Sequence, residues 1–307
     1  MATGRKRVVY AALGGNLVIA LSKGVAAAIT GSSSMLTESI HSLVDTGNQW
    51  LLLYGMKRSE RPADMVHPLG YGRELYFWSF VVALLIFAGG AAASIYEGIM
   101  HIRDPESIRR PLINYIVLGI ALVFEGTSWT IALHEFKRAV GADGWWAAIR
   151  RSKDPSTFVV LLEDSAALIG VLIAAAAIGL ALWTGDPRYD GVGSILIGGV
   201  LGIVAIVLAR ESKGLLIGER ARPALSRAIT EIARSEPGVC AVNQVLTIHL
   251  APEQVVATLS LDFDDDLDTG RIERAVANIE RRAREAHPDV VNVFIRPQST
   301  AAFQTAP

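Results

Sequence analysis

Apolar residues run in six long stretches, at about 8–30, 34–56, 75–98, 112–134, 158–183 and 191–209. Each is near the roughly 20 residues a helix needs to cross a hydrocarbon core. Beyond about residue 210, Arg, Glu and Asp recur every few positions and no apolar run is long enough to span. The pattern predicts a six-helix transmembrane domain over 1–209 and a water-facing domain over 210–307. Inside the tail, Leu225, Ile229 and Ile232 have helical spacing behind Pro223, so 223–235 reads as a helix. Two β-rich runs, 242–250 and 254–263, flank Ala251-Pro252-Glu253. A second helix over 269–286 sets Ile272, Val276 and Ile279 on one face, and 290–295 closes as a short strand. The predicted fold class is therefore a membrane α-helical bundle with six transmembrane helices plus a C-terminal α+β domain of order α-β-β-α-β, its two helices on one face of a three-stranded sheet.

Composition agrees with that division. Of 307 residues, 51% are hydrophobic and only 19% charged, which sets aside disorder and collagen. The net charge of −1 gives no electrostatic footprint for nucleic acid. The single cysteine, Cys240, makes neither an intrachain disulfide nor a thiolate cluster. Arg5, Lys6 and Arg7 precede the first apolar stretch as they would in a secretory signal, but the stretch is long and holds Asn16 and Lys23, so it reads as a retained helix. With six alternating helices, Arg5, Lys6, Arg7, Lys57, Arg58, Arg61, Arg73, Lys137, Arg138, Arg150, Arg151 and Lys153 fall on one side, against Arg103, Arg109, Arg110 and Arg188 on the other. The positive-inside bias predicts cytoplasmic N- and C-termini. The absence of an Arg-rich, acidic-poor leader points to a bacterial inner membrane.

Ionisable residues at membrane depth cost several kcal/mol each, about 2.5–3.5 for Asp or Lys at a helix centre, so each needs a reason. In 34–56, Glu38, His41, Asp45 and Asn48 are spaced three, four and three apart and share one helical face. An imidazole and a carboxylate four apart can ligate one divalent cation. The fifth segment carries Glu163 and Asp164, whose side chains leave the helix about 100° apart, so at most one of them faces a shared site. Asp164 leads the stripe Ala167, Leu168, Gly170, Val171, where another helix can approach closely. His41, Asp45 and Asp164 thus make three donors from two helices. Lys23 and Glu125 are further intramembrane charges that read as partners for buried charges or as snorkelling side chains.

The phrases GSSSMLTESIHSLVDTGNQ, HPLGYGRELYFWS, LLEDSAALIGVLIA and ESKGLLIGERA together resemble the cation diffusion facilitator family over nearly the whole chain. IHSLVDTGNQ, FEGTSW and LLEDSAALIG look most like the branch that includes the mitochondrial zinc exporter of eukaryotes. The resemblance implies a ferredoxin-like, metallochaperone-type tail and a homodimer. It also implies a tetrahedral transport site with two ligands on helix two, which carry over to His41 and Asp45, and two on helix five, of which Asp164 is one. The other falls on Val160, which cannot bind metal, leaving Glu163, Asn48, Glu38 or water for the fourth donor. A second family site in the loop after helix two carries over to Asp64 and His67, while its later position is Tyr71. In the tail the expected histidine positions read Ser260 and Ile295, so no zinc cluster is predicted there. The acidic run from Asp262 to Asp268 reads as a solvated helix entrance.

The implied function is secondary transport: export of a divalent transition metal, zinc first, with iron, cobalt, manganese or cadmium as other cargoes, in exchange for protons. The alternative is a membrane-bound metal sensor with no transport cycle, kept open by Val160. No zincin motif or nucleophile arrangement suggests an enzyme, and no cofactor is expected. The expected partners are metal ions, protons, the lipid bilayer and a second copy of the chain.

Overall fold

The computed structural model describes residues 2–140 and 153–305. Arg150 and Arg151, counted above with the basic loop residues, lie outside the described residues. Six long helices come first among the described residues: α1 Ala2–Thr30, α2 Ser33–Ser59, α3 Glu74–Arg103, α4 Pro111–Val140, α5 Pro155–Thr184 and α6 Arg188–Ile217. Proline opens α4 and α5, where its missing N–H costs no hydrogen bond. Within α3 the run Ile86–Ala92 is wound as a π-helix.

Among the described residues, four stretches are long and apolar enough to cross a membrane: Glu74–Arg103, Pro111–His134, Phe158–Thr184 and Arg188–Ile217. In α2, Glu38, His41, Asp45 and Asn48 interrupt the apolar run, and the described apolar part of α1, Asn16–Thr30, is shorter.

The chain forms two compact units, Met1–Arg58 with Glu74–Lys213, and Ser59–Arg73 with Gly214–Pro307. The segment between α2 and α3 therefore groups with the tail, where sequence alone divides the chain at 209/210. In the helical unit, α4 packs along α5 and α1. Helices α3 and α6 cross with almost no side chain between them: a Cβ on Gly98 would stand 2.5 Å from the Gly191 carbonyl oxygen.

The second unit contains α7 Pro223–Arg234, β1 Val239–Ala251, β2 Gln254–Phe263, α8 Thr269–Ala286, β3 Val290–Pro297 and the short α9 Thr300–Gln304. Sheet order is β1-β2-β3, with β1 antiparallel and β3 parallel to β2. Every second residue of β2, Val255, Ala257, Leu259, Leu261 and Phe263, is buried against Leu225 and Ile229 of α7 and Ala275, Ile279 and Ala283 of α8. The buried stripe of α8 centres on Ala275, Ile279 and Ala283, with Ile272 and Val276 at its margin. Alanine at the centre lets the helix lie close on the sheet. Asp268 caps α8 by accepting from Arg271 N–H at 2.7 Å, so the acidic run ends in a helix cap.

Candidate metal centre

The inner face of α2 is built by its polar residues. Glu38, His41 and Asn48 are buried, and the His41 and Asp45 side chains, one turn apart, bring Nδ1 and Oδ1 to 3.4 Å. Among the described residues, neither His41 nitrogen has a hydrogen-bond partner, nor does Asp45 Oδ1. Buried polar atoms left this way are costly unless something binds them.

From α5 the two neighbouring carboxylates diverge as a 100° step requires. Glu163 Oε1 accepts from Asn48 Nδ2 of α2 at 2.8 Å, whereas Asp164 Oδ2 accepts from Ser128 Oγ of α4 at 2.9 Å. Asp164 then lines one cavity of about 20 Å³ with Asp45, Glu125, Ser42, Ser128, Asn16, Ile19 and Ala167. That volume suits a single water or bare cation. Asp45 and Asp164 are therefore brought to one space, with His41 beside Asp45 and Glu163 turned toward Asn48. Among the described residues, no three His, Cys, Asp or Glu side chains already stand as a group able to hold a metal ion. The carboxylates face the cavity without closing on it.

Charge balance defines the environment. Lys23, fully buried, donates to Glu38 Oε2 at 2.8 Å, Glu125 Oε1 at 2.7 Å and Ser42 Oγ at 3.0 Å, which uses all three ammonium protons. Glu38 also packs against Gly170 of α5, whose missing side chain leaves room for the carboxylate. Lys23 touches the carboxylates of Glu38 and Glu125, while Asp45 lies within electrostatic reach of Glu163, Glu125, Asp164 and Lys23, so this part of the bundle sets five carboxyl groups against the Lys23 ammonium. A surplus of carboxylates at membrane depth calls for protons or metal cations as counter-charge.

Residues 9–217 match a protein-family model described as the cation efflux transmembrane domain. The chain belongs to the cation efflux family. It is a multi-pass integral membrane protein, with four strongly apolar helices among the described residues and a small sheet-containing C-terminal domain. It is 39% identical over 237 residues to the mouse proton-coupled zinc antiporter SLC30A9, mitochondrial, covering 76% of this chain and 42% of that protein. It is 31% identical over 238 residues to metal tolerance protein C4 of Arabidopsis thaliana, covering 77% and 52%. With the cation-efflux pump FieF of Pectobacterium atrosepticum the identity is 25% over 259 residues, covering 84% and 81%. The chain thus spans less than half the length of the mouse antiporter it matches.

Asp64 and His67 belong to the loop that groups with the second unit. Their Oδ1 and Nδ1 are 3.6 Å apart and both side chains are about half exposed. Asp64 Oδ1 accepts from the N–H groups of Val66 at 2.9 Å and His67 at 2.7 Å, and Oδ2 accepts from the Tyr71 hydroxyl at 2.6 Å. The Tyr71 hydrogen bond first, then the backbone bonds, hold this carboxyl below its usual range. A lowered folded-state pKa contributes stability that is full above the unfolded value of about 3.9 and is lost as pH falls through the folded value. Amide exchange at Val66 and His67 is expected to lose protection only below about pH 4. Unchanged protection down to pH 2 would contradict this role.

Sequence reasoning gave no role to Asp190. This buried residue of α6 accepts from Ser33 N–H at 2.6 Å and Ser32 Oγ at 3.1 Å, while its carbonyl oxygen accepts from Ser34 Oγ at 2.8 Å. It is the anionic cap of α2, the helix that carries His41 and Asp45. The Gly-Ser-Ser-Ser run at the entrance of α2 is its available signal in the sequence. Asp190→Ala is expected to destabilise the bundle by about 1.5–3 kcal/mol, the range for hydrogen bonds to a charged group. A melting curve in detergent indistinguishable from wild type would refute that.

Proposed function

We propose that the chain exports divalent transition-metal cations, zinc foremost, from the cytoplasm in exchange for protons. The observation that carries this reading is the placing of Asp45 and Asp164, from two helices, on one cavity inside an apolar bundle, with both His41 nitrogens beside them lacking partners among the described residues. His41, Asp45 and Asp164 are the principal donors, with Glu163 adjacent. Nitrogen and oxygen donors together suit zinc, and also iron(II), cobalt, manganese and cadmium to differing degrees. The name of the mouse relative, a proton-coupled zinc antiporter, supports both the cargo and the coupling.

Exchange follows from the donors themselves. Metal binding requires neutral imidazole and ionised carboxylates, so a proton and a metal ion compete for the same atoms. Alternating access would present this set to the cytoplasm, where metal enters, and then to the far side, where protons displace it.

In this reading residues 1–209 form the transport domain with six spans. The outward placing of Leu36, Leu43 and Trp50, each seven residues apart on α2, and of Val18, Leu21 and Val25 on α1 supports a lipid-facing side for both helices despite their polar interior. Residues 210–307 form a cytoplasmic dimerisation domain. The sheet face opposite the helices bears Leu246, Thr258 and Phe294 in register, with Leu246 and Phe294 more than half exposed, and this supports a homodimer. The basic bias of the loops supports cytoplasmic termini, and the likeness to bacterial efflux pumps supports a bacterial inner membrane. A second metal site at Asp64 and His67 would be a two-donor site at the loop surface that takes oxygens from the turn's own hydrogen bonds. No enzymatic activity is proposed.

The rival reading, a metal sensor without transport, is favoured by Val160 and by the absence of a closed donor group among the described residues. Protein reconstituted in liposomes with an internal pH-sensitive dye separates the two. Zinc-driven proton movement supports the exporter, and zinc binding without such movement supports the sensor.

A further inference from the structure

Glu125 projects from α4 onto the same cavity as Asp45 and Asp164. It is 9% exposed, and its Oε1 accepts from Lys23 Nζ. The three protons of Lys23 are already spent on Glu38, Ser42 and Glu125 Oε1, so none remains for Oε2. Glu125 Oε2 is buried with no hydrogen-bond partner among the described residues. A carboxylate oxygen withheld from water and from protein donors is poised for a cation.

The donor count needs such an atom. A tetrahedral ion takes four donors, and the position one turn before Asp164 is Val160. Glu163 is directed to Asn48 and does not line the cavity. We propose that Glu125 is a metal-contacting carboxylate that supplies the donor Val160 cannot, with Lys23 as the positioning residue that holds its other oxygen. This inference rests on the transport-site reading above and deepens it. The resulting set is one imidazole and three carboxylates from α2, α4 and α5. Such an oxygen-rich set shifts preference from cadmium toward zinc, iron(II) and manganese(II).

The test is zinc binding to the purified full chain by equilibrium dialysis, comparing wild type with Asp45→Asn, Glu125→Gln and Glu125→Asp. Glu125→Gln is expected to weaken zinc binding at least about tenfold, the lower bound for disturbing a metal site even through its outer contacts. Glu125→Asp, which draws the carboxylate back by one methylene, is expected to fall between. Wild-type affinity in Glu125→Gln with loss in Asp45→Asn overturns the role of Glu125 alone. Wild-type affinity in both overturns the transport-site reading itself. Should Glu125→Gln fail to fold, Glu125→Asp decides, and wild-type affinity there overturns the proposal. For Lys23, the charge-balanced pair Lys23→Met with Glu38→Gln is expected to weaken zinc binding in the wild-type background and to have no further effect with Glu125→Gln present. Additive losses overturn the positioning role.

Discussion

Zinc-driven proton movement in liposomes is expected to fall at least about 100-fold when Asp45 or Asp164 becomes alanine, since outer contacts of a metal site alone are worth 10–100-fold. Each substitution removes a carboxylate from the cavity where α2 and α5 meet. Two effects then act together. The cargo loses an ionised oxygen donor, and the exchange loses a group on which proton and metal compete. Asp164→Ala also frees Ser128 Oγ from its 2.9 Å hydrogen bond, a minor loss beside the missing charge. In the exporter reading each acid serves both halves of the cycle, so raising zinc concentration is not expected to restore the rate. Persistence of wild-type flux in either variant, with the protein folded and oriented in the vesicles, would remove the basis of the exporter reading.

The largest stability effect is expected at Lys23. Replacing it with methionine leaves Glu38 and Glu125 buried without their shared ammonium. Breaking a buried ion pair from one side costs about 3–5 kcal/mol, because the remaining charge stays out of water. Two carboxylates are stranded here, which places the loss at the upper end, and the helical unit is expected to melt well below wild type in detergent. The triple substitution Lys23→Met, Glu38→Gln, Glu125→Gln removes the charges together and is expected to recover most of the stability. A Lys23→Met protein that melts with wild type would refute this structural role of the ammonium.

Much of the architecture was legible before any coordinates. The second strand and the second helix of the tail appear at the predicted residues, Gln254–Phe263 and Thr269–Ala286, because alternation and helical spacing there are uninterrupted. The strand predicted over 242–250 extends to Val239–Ala251, where bulges break the alternation that sequence reading depends on. The short helix Thr300–Gln304 was not anticipated, five residues being too few to show a period. Within the site, the His41 and Asp45 pairing was readable since it lies along one helix.

What sequence alone determined is whatever depends on one element at a time: which segments are apolar, which residues share a helix face, and which charges sit at membrane depth. Tertiary structure decided which of those charges meet. Lys23 reaches Glu125 across 102 positions of chain, and Asn48 reaches Glu163 across 115. The spacing of residues on one helix is set by its 3.6-residue turn, whereas the rotation and depth of one helix against another depend on packing at places such as Gly98 and Gly191. A periodic pattern carries the first kind of information. The second exists only once the helices are assembled.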